Sequence, residues 1–308
     1  MGRAVALATV VAPLLGLGTV PPTAIGVASF PSAIAVGGGS VWVVAGGRLT
    51  RIDPRTRRVV ARIDVGVRVG SERPCDLAVA GGVVWTLGAV SATRSLVVRV
   101  DARTGHVLGA TPTPPAACVA ATADAAWVTL PRARRLVRLD DHGHVVRQVA
   151  TRAYCDAIVA GHGAFWTACP AGAAGARVGS HTGTILRIGA RGSLVVVAHD
   201  VLSGSLAAGP AGVFASGVGH DSGRTVRVDA PGARFPGSGR VSVGRSTLWL
   251  ADWRGPGRPG FAREVDARSG RTLRTIAAGT SPVAVALGVG AVWLANYTAP
   301  GRVTRIVP

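Results

Sequence analysis

One hydrophobic pattern recurs along this chain. A short apolar run ends at a Gly-containing turn, and an alternating run with one large aromatic follows, as in AIAVGGGSVWV at 33–43. After a connection of variable length comes a third run: LTRID (49–53), VVRVD (97–101), LVRLD (136–140), TVRVD (225–229) or AREVD (262–266). A polar turn such as PRTRR or ARTGH then leads to a fourth run, VVARIDV at 59–65 or TLRTIA at 272–277. Alternation of period two between clusters of turn-forming residues predicts short β-strands. The 3.6-residue period that helical repeats require is absent.

The aromatic anchors of the successive copies are Trp42, Trp85, Trp127, Trp166, Phe214, Trp249 and Trp293, separated by 43, 42, 39, 48, 35 and 44 residues. Four-stranded propeller blades take about 40–50 residues each, so the period predicts an all-β fold, a single seven-bladed β-propeller with four-stranded blades. The last copy stops at RVTRIVP (302–308), its third strand, while AIGVASFP (24–31) precedes the first copy and resembles the fourth-strand segment TIAAGTSP (275–282). The N-terminal strand is therefore expected to complete the last blade and close the ring, removing two sheet edges.

The runs PSAIAVGGGSVWV…LTRIDPRTRRVVARIDVG and SPVAVALGVGAVWLANYTAPGRVTRI resemble the YVTN-type repeats of bacterial extracytoplasmic propellers, the YncE-like family. The resemblance covers 24–308 and implies the scaffold rather than an activity. Blades four and five depart from it, with Gly189 in place of the turn Asp and Phe214 in place of Trp.

Two features of the repeat are expected to be structural. The turn Asp should accept bonds from backbone N–H groups just ahead of it. Arg51, Arg99, Arg138, Arg187, Arg227 and Arg305 occupy one position of the third strand, with Glu264 in blade six. Each Arg stands two residues before its turn residue, on the same strand face, which predicts ion pairing with the turn Asp around the ring.

Charge adds a partner class. The chain carries 34 basic residues, all Arg, against 15 acids, a net charge of +19. Such a surface attracts anionic polymers or headgroups, and Arg55, Arg57, Arg58, Arg103, Arg268 and Arg271 gather in the turns between third and fourth strands. The N-terminus, Arg3 followed by an uncharged stretch from Ala4 to Val20, reads as a signal peptide at 1–23 with cleavage between Gly18 and Ala24. It is too short for a membrane span of about 20 residues. The mature chain, 24–308, is thus expected to be extracytoplasmic, monomeric and without a transmembrane domain.

Cys75, Cys118, Cys155 and Cys169 fit an exported, disulfide-bearing protein. Cys155 and Cys169 flank the turn at 161–163 and should bridge one hairpin. Cys75 and Cys118 precede the innermost strands of neighbouring blades and can pair only beside the channel, with Cys118–Cys155 as the competing bridge. A zinc site of channel-mouth thiols lacks CxxC spacing, and neither metal nor cofactor is expected.

Loops between second and third strands are long in three consecutive blades, 168–183, 216–224 and 251–261. Loops on a rigid scaffold are a usual place for binding groups, so His181, His220, Asp221, Asp252, Trp253 and Arg254 are the candidate ligand residues. Asp76 and Asp156, each after a Cys, are the recurring acids at the channel mouth. With two Glu and no Lys, and no nucleophile elbow or phosphate loop, the leading expectation is a non-catalytic binding or scaffolding propeller for a protein or small-molecule ligand. The alternatives are a propeller enzyme of lyase or lactonase type with a divalent metal over the channel, and an electrostatic binder of nucleic acid or anionic wall polymer.

Overall fold

The computed structural model describes residues 22–66, 68–69, 75–171, 182–202, 204–217, 224–230 and 234–308, and among them it contains strands and turns but no helix. The strands form seven antiparallel sheets. Each sheet is a blade, and its strands are lettered a to d from the channel outward. Blade one is Ala33–Gly37, Ser40–Ala45, Arg48–Asp53 and Arg58–Ile63. Each innermost strand packs against the next, and the seventh, Pro282–Gly288, packs against the first. The ring is closed, as the repeat predicts.

Closure uses the two ends of the chain. Thr23–Val27 is strand d of blade seven and pairs antiparallel with Gly301–Ile306, from Thr23↔Arg305 to Val27↔Gly301. Ile25 and Val27 are buried against Trp293 and Val303 in the cluster between blades seven and one. The chain then crosses to blade one through backbone bonds from Phe30 N–H to Thr298 O (2.9 Å) and from Gly46 N–H to Ser29 O (2.8 Å).

The hydrophobic core is a ring of interfaces rather than one centre. Trp293, Trp42, Trp85, Trp127, Trp166, Phe214 and Trp249 each belong to a separate buried cluster shared with the following blade. Three indoles also donate to the carbonyl at the end of their own innermost strand: Trp42 to Gly37 (3.2 Å), Trp166 to Gly161 (3.0 Å) and Trp293 to Gly288 (3.1 Å). Phe214 lacks that donor, and its smaller ring is supplemented by Phe235, edge-on at 5.5 Å. The a–b turns need glycine where blades converge. Gly81 and Gly82 have φ of +57° and +77°, and a Cβ on Gly81 would lie 2.7 Å from the Ala123 carbonyl of the next blade.

The turn carboxylates act as expected. Asp53 accepts from the backbone N–H of Arg55 and Thr56, Asp101 from Arg103 and Thr104, and Asp266 from Arg268 and Ser269. Backbone bonding from Thr56 lowers the Asp53 pKa below the ordinary 3.8. The Thr104 N–H and hydroxyl do the same for Asp101, and the Ser269 hydroxyl and N–H for Asp266. A carboxylate with a lowered folded pKa stabilises above its unfolded value, and that contribution is lost as pH falls through the folded value. The melting temperature should hold from neutrality to about pH 5 and fall below about pH 4. The fall should be smaller in Asp101→Asn, followed by calorimetry; an acid limb of undiminished size there would remove this turn as a cause.

Ion pairing of the ring arginines with the turn Asp is corrected in most blades. It occurs in blade five, where Arg227 Nε lies 2.9 Å from Asp229 Oδ1. In blades one, two, three and six the turn carboxylate is already engaged by N–H donors of its own turn, and in blades four and seven Gly189 and Val307 stand in its place. Arg51, Arg99, Arg187 and Arg305 lie over Trp42, Trp85, Trp166 and Trp293 at 5.6–6.0 Å. Arg51 also donates to the Arg103 carbonyl and Arg99 to the Asp141 carbonyl, both at 2.7 Å, so these arginines fasten one blade to the turn of the next. Blade six reaches the same end by exchange. Glu264 takes the third-strand position, and Arg274, paired with it across strands c and d, stacks on Trp249 at 5.3 Å and bonds Glu264 at 2.6 Å.

Candidate functional site

Every innermost strand runs from the face that carries the b–c loops to the face that carries the a–b and c–d turns. Residues at the start of strand a therefore rim one mouth of the channel. The channel wall is made of small and aliphatic side chains, among them Ala35, Ala78, Ala120, Val159, Ala207 and Ala286. This follows from geometry: seven strands converging on one axis leave room for little beyond Ala and Val. The cavity they enclose measures about 370 Å³, within the range of small-molecule pockets, roughly 300–1,000 Å³.

Its charged lining residues, among those described, are Asp156 and Arg240. Asp156 immediately precedes strand a of blade four, Ala157–Gly161, and Arg240 opens strand a of blade six, Arg240–Val243. Both therefore stand at the mouth facing the b–c loops. Arg240 donates to the Gly204 carbonyl at 2.7 Å, and the neighbouring Val241 N–H donates to Ser205 Oγ at 3.2 Å, which ties blade six to blade five at the rim. Asp76, the other mouth acid, is fully buried and does not line the cavity. Its backbone carbonyl accepts from Leu87 N–H at 3.1 Å.

Two disulfides hold this rim. Cys75–Cys118 joins the segment entering blade two to strand a of blade three, with Cα atoms 4.9 Å apart, and Val119 N–H bonds Cys75 O beside it. Cys155–Cys169 joins the segment entering blade four to the end of its strand b, Ala164–Pro170, and so pins the base of the 168–183 loop. The competing Cys118–Cys155 pairing does not form, and no thiol is left free for zinc.

The six loop candidates are placed unevenly. His181, His220 and Asp221 lie outside the described residues. Asp252 and Arg254 form an ion pair at 3.3 Å, and the Arg254 guanidinium lies over Phe261 at 5.3 Å. Trp253 is half-buried, with its indole nitrogen shielded and without a partner among the described groups. Loop 253–258 is latched to the segment entering blade seven: Ser281 Oγ accepts from Gly257 N–H (2.8 Å) and donates to Gly255 O (3.2 Å). Asn296, buried, donates to Ala278 O and Thr280 O and accepts from Thr304, a lock between blades six and seven.

Two features of this face escape the sequence reading. Arg240 heads the block RVSVGRSTLWL, and it is the one copy to begin with a basic residue, which is the signal that singles it out. Blade two extends its b and c strands, Val83–Ser91 and Arg94–Asp101, into a projecting hairpin joined by Arg68–Val69. The run VVWTLGAVSATRSLVVRV, rich in β-branched residues and free of proline, marks it. Among the described residues no three His, Cys, Asp or Glu side chains gather closely enough to hold a metal ion, and none forms a helix long and apolar enough to cross a membrane.

No family model and no curated protein matches the sequence. Solved structures do match it. A streptogramin B lyase is 14% identical over 93% of this chain and 97% of its own, with a TM-score of 0.69. Kuenenia stuttgartiensis hydrazine synthase is 14% identical over 92% and 97%, with a TM-score of 0.67. A catalytically inactive virginiamycin B lyase from Staphylococcus aureus, solved with quinupristin, is 13% identical over 93% and 99%, with a TM-score of 0.66. Likeness at these identities carries the architecture and not the activity: the chain is a seven-bladed β-propeller.

Proposed function

We propose that this is an extracytoplasmic, non-catalytic binding propeller, exported with loss of residues 1–23, that takes its ligand at the channel mouth on the face of the b–c loops. The observation that carries the reading is the meeting of an apolar well of about 370 Å³ with Asp156 and Arg240 at its rim. An apolar cavity with a few convergent polar groups is the usual form of a small-molecule site. Its guest would be compact and mostly apolar, with a charged or zwitterionic end directed at the rim. Both disulfides stiffen that rim, which lowers the ordering cost of binding, and they suit an oxidising compartment.

Apolar amino acids and dipeptides are zwitterionic guests of suitable size and serve as probes. At saturating concentration, members of this panel should raise the melting temperature by about 2–4 °C, as expected when binding stabilises a protein of this size by roughly 1 kcal/mol. Ser242→Phe, which fills the well from the half-buried wall of blade six, should remain folded and lose the response. An equal rise in the plugged variant, or no rise with any probe, would place ligand recognition elsewhere.

A further inference from the structure

The face opposite the channel mouth, formed by the a–b and c–d turns, has its own chemistry. Among the described residues eleven large hydrophobic side chains are exposed, and all except Phe30 and Val90 lie on this side, in an a–b turn or at the start of a d strand just after its c–d turn. Val107 and Leu108, Val145 and Val146, and Val195 and Val196 form an arc over three consecutive blades, each 45–52% exposed. Strand d has no neighbour on its outer side, and such edges normally carry charge or proline rather than aliphatic pairs. The repetition of the pair from blade to blade makes a patterned surface rather than scattered exposure.

Arginines stand among these side chains. In blade three the c–d turn carries Asp140 and Asp141, and the exposed cation beside it is Arg147 on strand d. Arg57, Arg103 and Arg191 are exposed in the c–d turns of blades one, two and four, and Arg58 opens strand d of blade one. The carboxylates of Asp53 and Asp101 behind them are turned onto backbone N–H groups. Aliphatic side chains interspersed with cations on one face are what an anionic bilayer surface recognises: the arginines meet phosphate and the Val and Leu side chains enter the headgroup–acyl boundary. A soluble polyanion offers charge but no apolar phase. Single-stranded nucleic acid would call for exposed aromatics, whereas the tryptophan anchors are buried between blades. We propose that the protein docks on anionic lipid bilayers through its turn face, which leaves the channel mouth open on the far side.

The test is cosedimentation of the full chain with vesicles of phosphatidylglycerol and phosphatidylcholine, with phosphatidylcholine alone as reference and polyphosphate as the soluble polyanion. Binding should be at least about tenfold tighter to the anionic vesicles. The combined variant Val107→Ser, Leu108→Ser, Val145→Ser and Val146→Ser keeps every charge; it should lose about tenfold on anionic vesicles and nothing on polyphosphate. Arg57→Gln with Arg103→Gln should weaken both. Arg94→Gln with Arg302→Gln, on the opposite face, should change neither by more than about twofold. If the serine variant melts early, Val195→Ser with Val196→Ser tests the same arc from another blade. Vesicle binding unchanged in both serine variants would overturn the proposal in favour of a purely electrostatic polymer contact, and a loss as large from the opposite-face pair would overturn it outright.

Discussion

Deleting residues 22–31 is expected to turn a cooperatively folding protein into an aggregating one. The deletion removes strand d of blade seven, all five cross-strand pairs from Thr23↔Arg305 to Val27↔Gly301, and the backbone bonds of Ser29 and Phe30 that lead into blade one. Ile25 and Val27 leave the cluster around Trp293, and each buried aliphatic of this kind contributes about 1.5–3 kcal/mol. With the ladder included, the loss approaches the roughly 5–15 kcal/mol by which folded domains are stable at all. It also bares the edge of Gly301–Ile306, whose partly buried, alternating face invites pairing with another chain. Size-exclusion chromatography and calorimetry should show a melting temperature lower by at least about 10 °C and material moving to higher mass. Appending residues 22–31 after residue 308 through a short turn should restore most of the stability, because strand c ends and strand d begins on the same face. A deletion variant that melts like the full chain would mean that closure does not hold the ring together.

Trp42→Ala should cost about 3–5 kcal/mol, the usual range for emptying a buried aromatic site. Three interactions go at once. The indole is fully buried between blades one and two, it donates to Gly37 O at 3.2 Å, and its face carries the Arg51 guanidinium at 5.6 Å. Arg51 keeps its bond to the Arg103 carbonyl, so the fastening between blades is weakened rather than abolished. Trp42→Phe is the informative companion. Blade five tolerates Phe214 because Phe235 supplies the missing volume, and blade one places no such residue beside Trp42 among the members of its cluster. Phenylalanine should therefore recover only part of the loss, as measured by urea unfolding with unchanged m-values. Full recovery would show that neither the extra ring volume nor the indole hydrogen bond to Gly37 contributes at this anchor.

Legibility of the fold and of the site differ for a physical reason. Blade period, strand alternation and aromatic anchors are local features repeated seven times, and each copy reinforces the assignment of the others. The half-blade at each end is equally readable, because an unpaired third strand and an orphan fourth strand stand at opposite ends of the sequence with matching patterns. The Cys155–Cys169 bridge follows from one hairpin and is read the same way. The mouth is different. Asp76 and Asp156 look equivalent in sequence, each following a Cys, yet the first is buried and the second lines the cavity. Arg240 goes unselected until strand a of blade six is seen beside Gly204 and Ser205.

By itself the sequence determined the architecture, the number of blades, the ring closure by the chain ends and the Asx bonding of the turns, since all of these rest on short-range patterning and a fixed period. Only the tertiary structure decided that the ring arginines lie on tryptophans and reach the next blade's turn. It likewise decided that Glu264 and Arg274 exchange strands to do the same, and that Cys75 pairs with Cys118. Those contacts join residues from different strands or blades, and their partners are chosen by how far each blade is rotated about the axis, a quantity that no local run of residues encodes.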